Sequence, residues 1–254
     1  APPPARPPRG PAARRGPDAA ARRGDPRAGR HAVRTGSDRP ARPASGRMAL
    51  VEDAVSREVR ICVVGDELSA GVGDAKALGW AGRVVARTRF PQPAYVFPLA
   101  IPGETTTALS QRWEAETARR FSPEPDVDNR LVIGLGRHDL DAGLSVARSR
   151  LNLANVLDVA ESHRLPTFVV GPPPGHAQDA ERLAELSHAF SDVANRRRVP
   201  YVDTFSPLVT HEQWLADLAQ SGNGFPGQAG YGLMAWLVLH TGWHAWLGLP
   251  DDTV

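Results

Sequence analysis

The sequence contains one cysteine, one lysine and two methionines among its 254 residues. A single cysteine excludes an internal disulfide, so we expect Cys62 to be a small buried residue of the first apolar strand. Long apolar runs are also missing. No stretch reaches the roughly 18 apolar residues of a membrane span, and the N-terminal segment lacks the apolar core that a secretory signal needs. We therefore expect no membrane span and a cytoplasmic protein.

Large apolar side chains are almost absent from the first 47 positions. This segment holds twelve Arg, ten Pro and eleven Ala, and Val33 is its only large aliphatic or aromatic residue. Such a composition cannot bury enough apolar surface to offset the conformational entropy that folding removes. We predict that residues 1–47 are a disordered tail and that residues 48–254 form one domain. Two explanations of this tail are open. Translation could start at Met48, which would make the tail an upstream extension, or the Arg, Pro, Ala and Gly content could reflect a bias in base composition.

Charge divides the chain at the same point. Twelve Arg against three Asp give the tail a net charge of +9, whereas 18 basic against 25 acidic residues give the remainder −7. A basic tail can bind nucleic acid or an anionic membrane nonspecifically, but this one lacks the aromatic residues that stack on bases. We expect no specific nucleic-acid partner.

From residue 57 onward, short apolar runs alternate with longer amphipathic segments, which is typical of βα units around a parallel sheet. The predicted strands cover residues 59–64, 94–100, 130–135, 167–170 and 200–203. Apolar positions at helical spacing predict helices over residues 79–88, 106–120, 144–162, 178–197 and 229–246, the last interrupted near Gly242. The fold class predicted is α/β, a three-layer α/β/α sandwich around a five-stranded parallel sheet in the flavodoxin-like order 2-1-3-4-5.

Chemistry in such a fold belongs in the loops that follow the strands. Four of these loops are rich in Gly and polar residues, and they cover residues 65–67, 102–106, 134–139 and 171–176. Their convergence on one edge of the sheet is a property of the fold, so it supports a site without identifying the reaction.

The first of these loops, Gly65-Asp66-Glu67-Leu68-Ser69, resembles the Gly-Asp-Ser-Leu block of the GDSL, or SGNH, esterase and lipase family. In that family the serine attacks an acyl carbon, and here Glu67 takes its position. The second block of the family supplies a glycine whose N–H enters the oxyanion hole, and Gly103 followed by Glu104-Thr105-Thr106 matches it.

The third and last blocks also match in outline and differ at the catalytic positions. The family reads Gly-x-Asn-Asp in the third block, whereas this chain has Gly136-Arg137-His138-Asp139, with a histidine at the asparagine position. The final block, Asp-x-x-His-Pro, aligns on Pro226 with Phe225 as the histidine and Gly222 as the aspartate. A one-residue gap would instead align Asn223 with the aspartate and delete the histidine. Neither alignment supplies a base.

The resemblance implies the SGNH-hydrolase fold, hydrolysis of acyl esters of small molecules or lipids, and no cofactor. It assigns residues in two groups. The catalytic candidates are Asp66, Glu67, His138 and Asp139, and the oxyanion or substrate-binding candidates are Gly103, Ser69, Thr105 and His176.

Three hypotheses follow from the substituted serine. In the first, Glu67 is a general base that activates water, with His138 as its partner and the N–H groups of residue 67 and Gly103 facing the oxyanion. In the second, Glu67 caps the helix that it opens, fills the oxyanion pocket and leaves a non-catalytic domain that binds a ligand or a protein. In the third, another residue is the nucleophile or the base.

Metal and nucleotide sites are not predicted. His240 and His244 have the spacing of zinc ligands on a helix, but the glutamate that follows the first histidine in zinc proteases is Thr241 here. We expect Trp236, Trp243 and Trp246 to pack this last helix against the sheet. The first loop has two acidic residues where a dinucleotide loop binds phosphate, and these would repel it.

Overall fold

The computed structural model describes residues 57–175, 179–222 and 224–250. The predictions for residues 1–47, His176 and Asn223 lie outside these ranges. Within them, each helix is too short or too polar to span a bilayer.

A single parallel sheet of five strands, in the order β2-β1-β3-β4-β5, forms the centre of the described fold. All five strands occur where the apolar runs predict them, and the strand order and fold class are confirmed. The strands are β1 (Val59–Gly65), β2 (Ala94–Ala100), β3 (Asp128–Gly134), β4 (Thr167–Val170) and β5 (Tyr201–Val202).

Helices connect the strands and cover both faces of the sheet. They are α1 (Glu67–Ala70), α2 (Gly79–Arg87), α3 (Thr106–Ala118), α4 (His138–Asp141), α5 (Val146–Ser162), α6 (Ala180–Arg196), α7 (Phe205–Leu208), α8 (Glu212–Ser221), α9 (Gln228–Val238) and α10 (His244–Leu247). A π-helical turn, Leu239–Trp243, separates α9 from α10. Its kink at Gly242, where φ is +83°, is the interruption predicted from the sequence.

Successive residues of β1 enter two separate apolar cores, one on each face of the sheet. Ile61 and Val63 pack with residues of α2 and α9. Cys62 and Val64 pack with residues of α3, α5 and α6. A strand buried on both faces is why the sequence of β1 is a continuous apolar run instead of an alternating one. Cys62 is fully buried, as predicted, and burial raises the pKa of its thiol to about 12.

The tryptophans near the C-terminus differ in their environment. Trp243 and Trp246 lie against Phe168 of β4, with ring centroids 5.5 and 5.3 Å from that of Phe168. The prediction for Trp236 is wrong, because this side chain is 54% exposed and stacks on His240 instead of the sheet. Its place on the outer side of α9 explains the difference, since an aromatic residue at helical spacing does not reveal which face it occupies.

The C-terminal edge of the sheet is tightest between β1 and β3, which pair with Gly65 opposite Gly134. Gly65 has a φ of +150°, and a Cβ atom on it would lie 1.8 Å from the carbonyl oxygen of Gly134. The same oxygen accepts a hydrogen bond from Ser69 Oγ at 3.1 Å, which holds α1 over the end of β3. A side chain at position 65 would separate the two strands where the loops begin.

We therefore expect Gly65→Ala to lower the free energy of unfolding by about 3 kcal/mol, because the added methyl group meets backbone that cannot move without opening the sheet. Gly232→Ala is the matched control. Gly232 lies within α9 and a Cβ atom there meets nothing within 4 Å, so this change should be neutral or stabilise by about 0.5–1 kcal/mol. Urea denaturation of both variants measures the difference. Equal stabilities would contradict this account of Gly65.

Candidate functional site

Asp66 connects the loop after β1 to the loop after β3. It is the N-cap residue of α1, where its Oδ1 accepts a hydrogen bond from the N–H of Leu68 at 3.0 Å. Its Oδ2 accepts a hydrogen bond from the N–H of Gly136 at 2.7 Å. The residue is 1% exposed. Burial raises the pKa of its carboxyl group to about 7, although both N–H groups and His138 act in the opposite direction.

Glu67 and His138 are in direct contact, as the first hypothesis requires. Glu67 opens α1 and His138 opens α4, and the in-register pairing of β1 with β3 brings these two helix starts together. His138 Nε2 lies 2.8 Å from Glu67 Oε2 and 3.8 Å from Asp66 Oδ2. The two side chains of the pair are 18% and 14% exposed, so water can reach them.

A third carboxylate faces the other nitrogen of the same ring. His138 Nδ1 lies 3.4 Å from Asp141 Oδ2, three residues along α4. The ring of His138 thus has a carboxylate beside each of its two nitrogens, with a hydrogen bond only to Glu67. Asp141 was not predicted, although its spacing of three residues from His138 places both side chains on one face of a helix.

A cavity of about 30 Å³ lies beside the carboxylate–imidazole cluster. Asp66 and His138 line it together with apolar side chains that include Trp214, Phe225 and Pro226. A cavity needs roughly 10–15 Å³ of such space to hold one water. Pockets that enclose a small organic ligand measure about 300–1,000 Å³. The cavity can therefore hold a water or an ion, and an organic substrate would have to lie outside it.

Phe225 occupies the position that the ungapped alignment gives to the family's histidine. It lines the cavity, where a phenyl ring supplies no base. The segment around it is fixed by Asp217, whose Oδ2 accepts hydrogen bonds from the N–H groups of Gly227 at 2.6 Å and Gly230 at 2.8 Å. Asp217 was not predicted, because its partners lie ten or more residues away in sequence.

The end of the same segment reaches the first loop. Tyr231 is fully buried, and its hydroxyl donates a hydrogen bond to the carbonyl oxygen of Val72 at 2.7 Å. The closing block thus has a structural role in this chain, which is to fix α9 against the turn that follows α1.

Gly103 lies in an exposed turn that follows β2, with a φ of +72° and space around its Cα atom. The turn is joined to the end of β1, because the N–H of Ile101 donates to the carbonyl oxygen of Gly65 at 2.8 Å. A partly buried ion pair between Glu104, in the same turn, and Arg112 of α3 also holds it. Arg112 also donates to the carbonyl oxygen of Leu99 at 2.7 Å. Burial raises the pKa of Glu104, and Arg112 opposes that shift.

Three other predicted site residues make hydrogen bonds that support the fold. Ser69 is 3% exposed and donates to Gly134, as described above. Thr105 is the N-cap of α3 and accepts from the N–H of Ala108 at 3.2 Å. Asp139 is buried and accepts from both the N–H and the hydroxyl of Thr106, each at 2.7 Å.

The structure therefore brings together Asp66, Glu67 and His138 among the predicted residues, and it adds Asp141. Gly103 lies at the same edge of the sheet. One oxygen or nitrogen atom from each of Asp66, Glu67 and His138 lies within 4.8 Å of the others, so these three side chains could hold a metal ion.

Comparisons with known proteins agree with this fold. No curated protein sequence matches the chain. Among solved structures, a lipase/acylhydrolase from Enterococcus faecalis is 21% identical with a TM-score of 0.59, covering 77% of this chain and 99% of that one. The acetylxylan esterase Axe2 from Geobacillus stearothermophilus is 16% identical with a TM-score of 0.59, covering 76% and 95%. AlinE4, an SGNH-hydrolase family esterase, is 25% identical with a TM-score of 0.53, covering 76% and 97%.

The model of the GDSL-like lipase/acylhydrolase family matches residues 63–233, a range that includes all the site residues described above. The chain belongs to the GDSL-like lipase/acylhydrolase family.

Proposed function

We propose that this domain hydrolyses acyl esters of small molecules with a water molecule that Glu67 and His138 activate, without an acyl-enzyme intermediate. The observation that carries the proposal is the 2.8 Å contact between Glu67 Oε2 and His138 Nε2 at the position of the family nucleophile. The cavity of about 30 Å³, which Asp66 and His138 line, gives a water molecule a place beside the His138 member of that pair. The names of the similar structures, a lipase/acylhydrolase and an acetylxylan esterase, support acyl esters as the substrate class.

The pair can serve as both base and acid in one hydrolysis. The water oxygen forms a bond to the acyl carbon while the Glu67 carboxylate takes a water proton. The bond from the acyl carbon to the alcohol oxygen then breaks, and the His138 imidazolium donates a proton to the leaving alkoxide. A proton transfer from Glu67 to His138 along their hydrogen bond restores both groups. Water and ester are consumed, and a carboxylic acid and an alcohol are released.

Charge on the acyl oxygen needs hydrogen-bond donors in this scheme. The N–H groups of residue 67 and Gly103 are the donors we assign, because one begins α1 and the other lies in an exposed turn joined to the end of β1. Such donors commonly contribute about 3–4 kcal/mol of transition-state stabilisation. The partly buried ion pair of Glu104 with Arg112 holds the Gly103 turn in place.

A serine route fits the contacts of Ser69 poorly. Its hydroxyl is buried and donates to a backbone carbonyl of β3. Serine nucleophiles need the opposite arrangement, with an accessible oxygen whose proton is directed at a base.

The second candidate is a binding domain without catalytic activity. The observation that favours it is the set of contacts that His138 and Arg137 make with the carboxylates: His138 lies against both Glu67 and Asp141, and Arg137 donates to Asp141, so these charges are balanced without a substrate. In that case the contacts of His138 with Glu67 and Asp141 stabilise the loops that follow β1 and β3. The ligand then binds outside the small cavity.

The first test is turnover of short-chain nitrophenyl esters by the purified protein and by Glu67→Gln and His138→Ala. Loss of either proton-transfer group should lower kcat by about 100-fold or more. Glu114→Gln is the matched control, because Glu114 forms another carboxylate–histidine contact, 3.0 Å long, with His163 on the exposed surface. This control should keep the parent rate. A parent protein that turns over no ester would support the binding domain instead.

A second test replaces the carboxylate with the family's own nucleophile. Glu67→Ser should not create an efficient serine esterase, because a serine hydroxyl sits two bonds closer to the backbone than the carboxylate that reaches His138, and Phe225 occupies the position of the family base. Mass spectrometry after treatment with an organophosphonate, together with the ester assay, measures this. Phosphonate on position 67 combined with fast turnover would show that His138 or another histidine serves as a base for serine.

A further inference from the structure

The cluster around His138 has the donor set of a metal site. A nitrogen of His138 and carboxylate oxygens of Asp66 and Glu67 converge from two different loops to within 4.8 Å of one another. We infer that these three side chains bind one divalent transition-metal ion, with Zn²⁺ as the best match. The inference rests on the proposed function only for ester hydrolysis as the reaction. With the ion bound, Glu67 and His138 would be its ligands, and the ion would activate the attacking water in place of the Glu67 carboxylate.

The distances between the donor atoms suit an ion placed among them. Zinc binds nitrogen and oxygen at about 2.0–2.2 Å, so two neighbouring ligands lie about 3–3.5 Å apart. His138 Nε2 is 2.8 Å from Glu67 Oε2 and 3.8 Å from Asp66 Oδ2. Shifts of less than an ångström bring both separations to this value. Glu67 can make such a shift because its side chain is partly exposed.

Groups outside the three ligands orient them for binding. His138 presents its Nδ1 to Asp141 at 3.4 Å, the carboxylate–histidine arrangement that directs the other ring nitrogen towards a metal. Asp66 is fixed by the N–H groups of Leu68 and Gly136. These contacts set the position of two ligands before any ion arrives, and Asp141 is not itself one of the three.

The volume of the cavity and the charge of the three side chains both suit a divalent cation. The cavity of about 30 Å³ is lined by Asp66 and His138, so an ion or a water has room beside two of the three donors. Two carboxylates and a neutral imidazole carry a net charge of −2, which one divalent cation compensates. A mixed set of imidazole and carboxylate favours zinc and its transition-metal neighbours, whereas calcium and magnesium prefer oxygen alone.

Three protein ligands also leave a coordination position open. Structural zinc sites use four protein ligands, whereas catalytic zinc sites use three and keep the fourth position for water. Bound zinc lowers the pKa of that water to about 7. In this chain the ion would occupy the place where the family has its serine, so metal-bound water would replace the hydroxyl as the attacking oxygen.

The test is isothermal titration of the metal-free, untagged full chain with Zn²⁺, with bound metal counted by elemental analysis. We expect one Zn²⁺ per chain at this site and an affinity about tenfold or more weaker in both Glu67→Gln and His138→Ala. A Glu114→Gln, His163→Ala double variant removes the exposed pair and should bind as the parent does. Circular dichroism of each variant shows that it is folded.

Two results would overturn the inference. One is the absence of saturable binding up to about 1 mM Zn²⁺, and the other is unchanged affinity in both folded site variants. The proposed function is judged separately, by ester turnover in the same samples. Zinc bound at the site without turnover would support the metal site and contradict the hydrolase proposal. Turnover in a chain that binds no zinc would support the hydrolase proposal and contradict the metal site.

Discussion

The pairing of β1 with β3, with no side chain between their last residues, is the constraint on which the rest of the site depends. Gly65 and Gly134 are opposite each other, and a Cβ atom on Gly65 would overlap the backbone of β3. Because the strands end together, the two loops that follow begin side by side. Asp66 then links them through the N–H of Gly136. The contact between Glu67 and His138 follows from this arrangement.

That arrangement brings three carboxylates to the C-terminal edge of the sheet, and one of them, Asp141, is also paired with Arg137 at 3.1 Å. Asp66 is buried with two N–H donors, while Glu67 and Asp141 both face the ring of His138. A proton on the imidazole or a divalent cation among the carboxylates can compensate this charge, and the two compete for His138 Nε2. The two proposals therefore differ in whether a proton or a divalent cation occupies this cluster.

Much of the fold could be predicted from the sequence because its signals are local. Apolar runs bounded by Gly and Pro mark the strands, and the Gly-Asp turn marks the start of the site. Contacts between distant segments could not be predicted this way. Arg112 reaches Glu104 and Leu99, and Asp217 reaches the start of α9, through folding that no local pattern encodes. Trp236 shows what helical spacing cannot predict. The spacing of apolar residues indicates a helix, but it does not tell which of them face solvent, as Trp236 does.

The substitutions in the family blocks make sense as a set. The ungapped alignment gives Phe225 the position of the family's histidine, so a serine at position 67 would lack that base. His138 provides an imidazole from the loop after β3 instead of the C-terminal segment, and Glu67 is long enough to reach it. The C-terminal segment has a packing role through Tyr231 and Asp217. The polar chemistry of the site is thus concentrated in the two loops that β1 and β3 hold together.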